Sequence, residues 1–190
     1  MAINNNYDKM KQLLVIIGMP GSGKDTQIEF MAKRRKLEVI RIGDLVRAKA
    51  LTDNKIDADL DAGNLVDNDI VNNLVKDAIQ SAPDDSYLIS DGFPRDIEQA
   101  KWLDEFASNN DCKIVQVLVI RIKDSTAIER LKKRGREDDD EDTINHRLEV
   151  FHDQTDRVID YYKSSQRLSE VNGEDAPEEV ANQIENILQW

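Results

Sequence analysis

Three groups of residues in this chain have the types and spacing needed to hold phosphate. The first is Gly18-Met-Pro-Gly-Ser-Gly-Lys-Asp-Thr26, directly after the apolar run Leu13-Leu14-Val15-Ile16-Ile17. A buried strand that breaks into a glycine turn ending in Gly-Lys is the setting a phosphate-binding loop requires. Gly21 and Gly23, with Ser22 between them, allow backbone angles closed to other residues, so successive N–H groups turn inward on an anion. A helix starting near Lys24 adds its positive N-terminal end. Lys24 supplies a mobile charge for the terminal phosphates of a nucleoside triphosphate. The general pattern places Ser or Thr after the lysine, where the hydroxyl meets magnesium. Here Asp25 stands there and Thr26 follows. Asp25 reads two ways: as a first-turn carboxylate suited to the helix dipole, or as a carboxylate touching the hydrated metal.

The second group is Asp91-Gly92-Phe93-Pro94-Arg95, after the expected strand Tyr87–Ser90. Asp91, at a strand's carboxyl end beside the glycine loop, is placed to hold water on Mg²⁺. Arg95 follows closely enough to reach a phosphoryl group with its planar fork. The plain alternative is a Gly-Pro turn with a surface ion pair. The third group is Arg130, Arg134, Arg136 and Arg147. Arg130 and Arg134 share a helix face, Arg136 lies in the loop beyond, and Arg147 lies on the next helix. Alone, such a cluster is a solvated face paired with the acidic run Glu137–Asp142. Beside a phosphate loop it reads as a clamp, because phosphoryl transfer asks the protein mainly for positioning and cationic stabilisation.

The elements that must position these groups follow from hydropathy. Short apolar strands at 13–17, 38–40, 87–90, 114–120 and 168–171 alternate with helical patterns near 24–35, 67–80, 96–108, 124–134, 142–163 and 177–188. Ile70, Val71, Leu74, Val75, Ala78 and Ile79 form one helical stripe, and Ile144, Leu148, Phe151, Thr155, Val158 and Tyr162 another; both are read as core. Strand–helix alternation implies an α/β fold: a parallel sheet covered on both faces, with ligands at the carboxyl ends of its strands. Pro177 suits the first turn of the last helix, and Asp175 is spaced as its N-cap with Glu178 three residues on.

Composition narrows the class. At 190 residues the chain suits one domain, and a net charge of −12 argues against a nucleic-acid binder. The lone Cys112 excludes an intrachain disulfide and a cysteine-rich zinc site, and it reads as a buried thiol. No apolar run has the length of a membrane span, and the polar start at residues 1–12 lacks a signal-peptide core. These features lead to the expectation of a cytoplasmic, soluble protein, a monomer or small oligomer. His146 and His152 are expected at surface or hinge positions, and Trp102 and Trp190 in packing.

Taken together in order, the motifs resemble those of the adenylate kinase family of nucleoside monophosphate kinases, from about Leu13 to the C-terminus. Gly18–Gln27 resembles the family's phosphate loop, and Gly43-Asp44-Leu45-Val46-Arg47 the segment whose arginine holds the AMP phosphate. Leu60–Val66 resembles the stretch lining the AMP adenine, with Asn64, Leu65 and Val66 in contact. Asp91–Arg95 resembles the family signature, and Gln99 falls where a glutamine reads the acceptor adenine edge. Arg134, Arg136 and Arg147 correspond to arginines that grip ATP and AMP phosphates, with Arg130 near the donor base. Asp138 and Asp139 resemble the acidic pair at the lid's far hinge, and Gly173 falls in a loop that contacts the donor adenine.

The resemblance implies a three-layer P-loop kinase fold: a five-stranded parallel sheet flanked by helices, a small helical AMP-binding insert at about 42–66, and a very short lid at about 134–142. Residues 1–12 then form a polar extension and residues 13–190 a single kinase domain. The implied activity is reversible phosphoryl transfer from MgATP to AMP giving two ADP, with Mg²⁺ but no zinc. The expected contacts to ATP are Gly21, Ser22, Gly23, Lys24, Asp25, Thr26, Arg130, Arg134, Gly173 and Asp175. Those to AMP are Ile42, Arg47, Asn64, Leu65, Val66, Gly92, Phe93, Pro94, Arg95, Gln99, Arg136 and Arg147. Lys24, Arg95, Arg134, Arg136 and Arg147 carry the catalysis, and Asp91 holds the metal through water.

Three departures bear on this. Asp25 stands where the family has Gly, Asp175 replaces a frequent lysine near the donor base, and Ile42 stands where adenylate kinases have Thr. Uridylate/cytidylate kinases also lack that threonine, so a UMP or CMP acceptor is the alternative. Gln99, and the absence of an asparagine after Arg95, favour AMP. A non-catalytic nucleotide-sensing module is the second alternative; it has no use for a converging arginine clamp.

Overall fold

The computed structural model describes residues 10–61, 64–136 and 139–189. Five strands form one wholly parallel sheet: β1 (Lys11–Ile17), β2 (Glu38–Arg41), β3 (Tyr87–Asp91), β4 (Cys112–Arg121) and β5 (Leu168–Asn172), in the order β2-β3-β1-β4-β5. β1 begins two residues before the apolar run, because Lys11 N–H and Gln12 N–H already donate to Asp111 O and Ser86 O. Parallel strands buried on both faces call for continuous apolar runs rather than alternation, and β1 and β4 have them. Leu13, Val15 and Ile17 pack into one core, while Leu14 and Ile16 pack into the other, as the two-residue strand period requires.

Helices cover both faces: α1 (Lys24–Arg34), α2 (Ile42–Ala50), α3 (Asn54–Asp61), α4 (Asn68–Ser81), α5 (Ile97–Asn109), α6 (Asp124–Arg134), α7 (Glu141–Val150), α8 (Asp156–Ser164) and α9 (Pro177–Leu188). The smaller core joins α1 and α9 through Ile28, Met31, Val180 and Ile184. Gln27 Nε2 donates to Pro177 O at 3.0 Å, and Arg34 pairs with Glu185 across the same seam. The remaining helices bury the larger core. Trp102 takes the packing role expected of it, edge-on to Phe93 and stacked on Phe106. Cys112 is buried, as expected, and burial pushes its thiol up to about 11.

Two expectations need correction. The helix read over 142–163 is continuous but irregular: a π-helical turn, Phe151–Thr155, separates α7 from α8. An apolar stripe does not reveal such a turn, because Phe151 and Thr155 are buried either way. Asp175 does not cap α9. The cap is Ala176, whose N–H meets Glu179 Oε2 at 3.4 Å, whereas Asp175 accepts from Asn172 Nδ2 (2.9 Å) and Gln183 Nε2 (2.7 Å). Elsewhere aspartates do cap: Asp67 for α4, Asp96 for α5 and Asp140 for α7, each accepting backbone N–H bonds in the first turn.

Candidate active site

The strand order decides where chemistry gathers. β1 continues into the glycine loop, β3 lies beside it, and the register sets Asp91 opposite Ile16. β4 flanks the other side, so the loop opens at the point where the chain's crossovers diverge, the usual ligand crevice of an open parallel sheet. In the loop Gly21 and Gly23 have φ of 80° and 91°, angles that favour glycine. Ser22 N–H closes the turn on Met19 O at 3.0 Å. Lys24 lies at the start of α1 and folds back to donate to Gly18 O (2.6 Å) and Met19 O (3.3 Å).

Around Lys24 the charges converge. Burial foremost lowers its pKa, assisted by Arg95 and Arg134 and opposed by Asp91 and Asp25. Asp91 is shifted the other way: burial raises it most, Lys24 pulls it down, and the neighbouring Asp25 raises it again. Arg95 faces the open cleft, yet desolvation leads the causes that lower its pKa, followed by opposing help from Asp91 and repulsion from Arg147 and Arg47. A guanidinium stays charged regardless. Lys24 thus lies within electrostatic reach of Arg95, Arg134 and the Asp25–Asp91 pair, and Arg95 in turn within reach of Arg47 and Arg147.

Each cation is held. Arg95 Nε donates to Gly92 O at 2.8 Å; its backbone N–H donates to Gln99 Oε1, and its carbonyl accepts from Thr155 Oγ1, both at 2.8 Å. Arg47 bonds Asp44 at 2.6 Å. Arg134 makes a two-pronged pair with Asp139, Nε–Oδ2 2.8 Å and Nη2–Oδ1 2.6 Å, while Arg147 Nη1 lies 3.7 Å from Oδ1 and Arg136 N–H donates to Oδ2 at 3.1 Å. Asp139 is the organiser of the arginine cluster, with its carboxyl held low first by the Arg134 bond. The sequence singled it out only as a hinge acid. Asp138, its expected companion, lies outside the described residues, as do Ala62, Gly63 and Trp190.

Arg130 joins the glycine loop to the turn after β5: its guanidinium donates to Gly173 O at 3.0 Å and to Gly21 O at 3.5 Å. Asp175 turns instead toward α9, and Thr26 and Asp25 are exposed on the first turn of α1. Ile42, Val46, Asn64, Leu65, Val66, Gly92, Arg95 and Gln99 line one small pocket beside β3 and α2. Phe93 and Pro94 are buried behind it, joined by a cis peptide. His146, expected at the surface, reaches Asn64 Oδ1 at 2.9 Å and so ties α7 to the wall of this cavity. A wider depression between β2, α2 and α4, lined by Glu38, Arg41, Asp44 and Pro83 among others, holds few of the expected residues.

The Asp25–Asp91 pair offers oxygen donors for a hard cation. Among the described residues no group of three or more His, Cys, Asp or Glu is gathered for a metal ion. A pair of carboxylates suits Mg²⁺, which keeps waters and takes one or two carboxylates plus substrate phosphates.

A glycine loop on the central strand of a parallel α/β sheet, with Lys24, Arg95 and Arg134 gathered at it, defines a phosphotransferase that takes a phosphate group as acceptor. Residues 16–167 match the adenylate kinase family. The chain is 38% identical to the adenylate kinase of Nautilia profundicola over 187 residues, 94% of this chain and 97% of that protein. It is 36% identical to the adenylate kinase of Mycolicibacterium vanbaalenii (85% and 91% covered) and 34% identical to adenylate kinase 1 of a Nostoc species (92% and 97%). The chain belongs to the adenylate kinase family.

Proposed function

We propose that the cleft carries out reversible transfer of the γ-phosphoryl group of MgATP to AMP, giving two ADP. The observation that supports this most is the convergence of Lys24, Arg95, Arg134 and Arg147 at the carboxyl ends of β1 and β3, between the glycine loop and the acceptor cavity. Lys24 and the loop N–H groups bind the β- and γ-phosphates, and Arg130 with Gly173 borders the donor base. Arg47 and Arg95 bind the AMP phosphate, while Leu65, Val66 and Gln99 face its base. An AMP phosphate oxygen forms the new P–O bond as the bond from γ-phosphorus to the β–γ bridging oxygen breaks. The nucleophile is already anionic, so no base removes a proton. Arg134, Arg136 and Arg147 close on the migrating group and exclude water, the competing acceptor.

Asp91 would hold Mg²⁺ through water, with Asp25 as a second carboxylate beside it; when bound, the ion would supply positive charge that offsets charge developing on the phosphates. Residues 13–190 act as one kinase domain, with the acceptor part near 42–66 and the lid near 134–142. We place the protein in the cytoplasm as a monomer binding only small nucleotides. In support, no described helix is long and apolar enough to cross a membrane, Leu51 is the exposed large hydrophobic side chain among the described residues, and the charge is strongly negative.

The test is ADP formation from MgATP with AMP, UMP, CMP or GMP supplied separately, with a magnesium-free control. Preference for AMP is expected. Preference for a pyrimidine nucleotide would overturn the acceptor assignment, and ATP binding with no transfer to any acceptor would overturn the enzyme.

A further inference from the structure

We infer that Asn68, a residue outside the phosphate machinery, locks the side-chain amide of Gln99 in one orientation and thereby makes the acceptor pocket select bases with an amino group beside an unprotonated ring nitrogen. This rests on the acceptor nucleotide occupying the cavity that Gln99 lines.

The lock is a one-way chain of hydrogen bonds. Gln99 is 2% exposed and sits in the first turn of α5. One end of its amide lies 2.8 Å from Arg95 N. A backbone N–H can only donate, so that end must be the oxygen. The other end, then the NH₂, donates to Asn68 Oδ1 at 2.7 Å. Asn68 is fixed in turn: its Nδ2 faces Glu98 Oε2 at 3.4 Å, an ionised carboxylate that only accepts. Each orientation follows from what its neighbour is able to do. The backbones are held too, because Asp67 caps α4 one residue before Asn68, and Asp96 accepts from the N–H groups of both Glu98 and Gln99 at 2.9 Å.

An amide has two N–H bonds and two oxygen lone pairs. One of each is committed here, leaving one donor and one acceptor in a fixed order. An adenine edge, amino donor beside ring-nitrogen acceptor, complements that order. A keto base, whose carbonyl accepts and whose ring N–H donates, presents the reverse, and sets donor against donor in a desolvated site. A pocket built to hydrogen-bond one pattern rejects its inverse far more strongly than a shape-matched pocket does. Without Asn68 only the Arg95 N–H would restrain the amide. Its NH₂ end would lose its acceptor, and the pattern offered to the base would blur.

The experiment compares kcat/KM for AMP and IMP, acceptors of nearly equal shape with inverted edges, in the full-length chain. Wild-type protein should strongly prefer AMP. Asn68→Ala should lower the AMP:IMP ratio by about tenfold, the order of one net hydrogen bond, raising KM for AMP and leaving KM for ATP alone. Asn68→Asp combined with Glu98→Gln, which keeps an acceptor facing Gln99 and a donor–acceptor pair between positions 68 and 98, should retain the wild-type ratio. If Asn68→Ala does not fold, Asn68→Leu removes the acceptor at similar volume and carries the same expectation. An unchanged ratio in the folded Asn68→Ala or Asn68→Leu variant, or equal loss in the double variant, overturns the lock. Failure of the wild type to phosphorylate AMP overturns the reading of the cavity itself, and the inference with it.

Discussion

Arg95 shows how much structure one charged side chain requires. Its backbone is fixed at both ends, by Gln99 on the N–H and Thr155 on the carbonyl, and its guanidinium rests on Gly92, where a Cβ would lie 3.2 Å from Nη2. We expect Arg95→Ala to cut turnover by about a hundredfold or more, the scale of losing one preorganised donor to developing charge. Steady-state ADP formation checks this, and near-normal turnover would remove Arg95 from the reaction. That Arg95, Lys24 and Asp91 come together was legible in the sequence, because each sits at a fixed offset from a strand end. Asp139, Asn68 and the Asn64–His146 contact were not. Asn64 and Asn68 gain their roles from neighbours that only the fold supplies, His146 lying 82 positions from Asn64 and Gln99 31 from Asn68, and Asp139 gains its role from a local turn that sets it on Arg134.

Among the elements, the turn after β5 is a tight junction at the site. A Cβ on Gly173 would lie 2.6 Å from Ile120 Cγ2, 2.8 Å from Ile122 Cγ2 and 3.0 Å from Arg121 O. Gly173 N–H bonds Arg121 O at 2.8 Å, and its carbonyl holds Arg130. Gly173→Ala should therefore destabilise the protein by about 2 kcal/mol through overpacking, read as a lowered midpoint in denaturant, and should raise KM for ATP more than for AMP. The strands themselves were readable from buried apolar runs, and all five fall where hydropathy put them. The helix ends were less so. A capping position depends on backbone angles, and Asp175 lost that role because Asn172 and Gln183 had already engaged its carboxylate. The π-helical turn was hidden for a related reason: it alters the rise of the backbone without altering which residues are apolar.

At the scale of the whole molecule, one titrating contact joins distant parts of the chain. His152 lies between Asp156 (3.0 Å) and Asp124 (3.1 Å), linking the start of α6 to α8, and Arg121 shares Asp156. The Asp156 hydrogen bond foremost raises the imidazole above its ordinary 6.5, burial opposes this, and Asp124 adds to it. A raised histidine stabilises the fold fully below its unfolded pKa, and that share is lost as pH rises through the folded value. Thermal melts from about pH 5 to about pH 8 should show His152→Gln less stable than wild type at the acid end and equal to it at the alkaline end, by under about 1 kcal/mol for so exposed a contact. Charge also shapes what an arriving nucleotide encounters. Lys24 is bonded to its own loop, Arg47 to Asp44, Arg95 to Gly92, and Arg134 with Arg147 to Asp139. Binding is therefore an exchange reaction, in which phosphate oxygens replace partners that already satisfy these cations. Its heat should be small relative to the number of contacts made. An anion of ample charge but the wrong shape, able to displace only some of those partners, should bind weakly for all its charge.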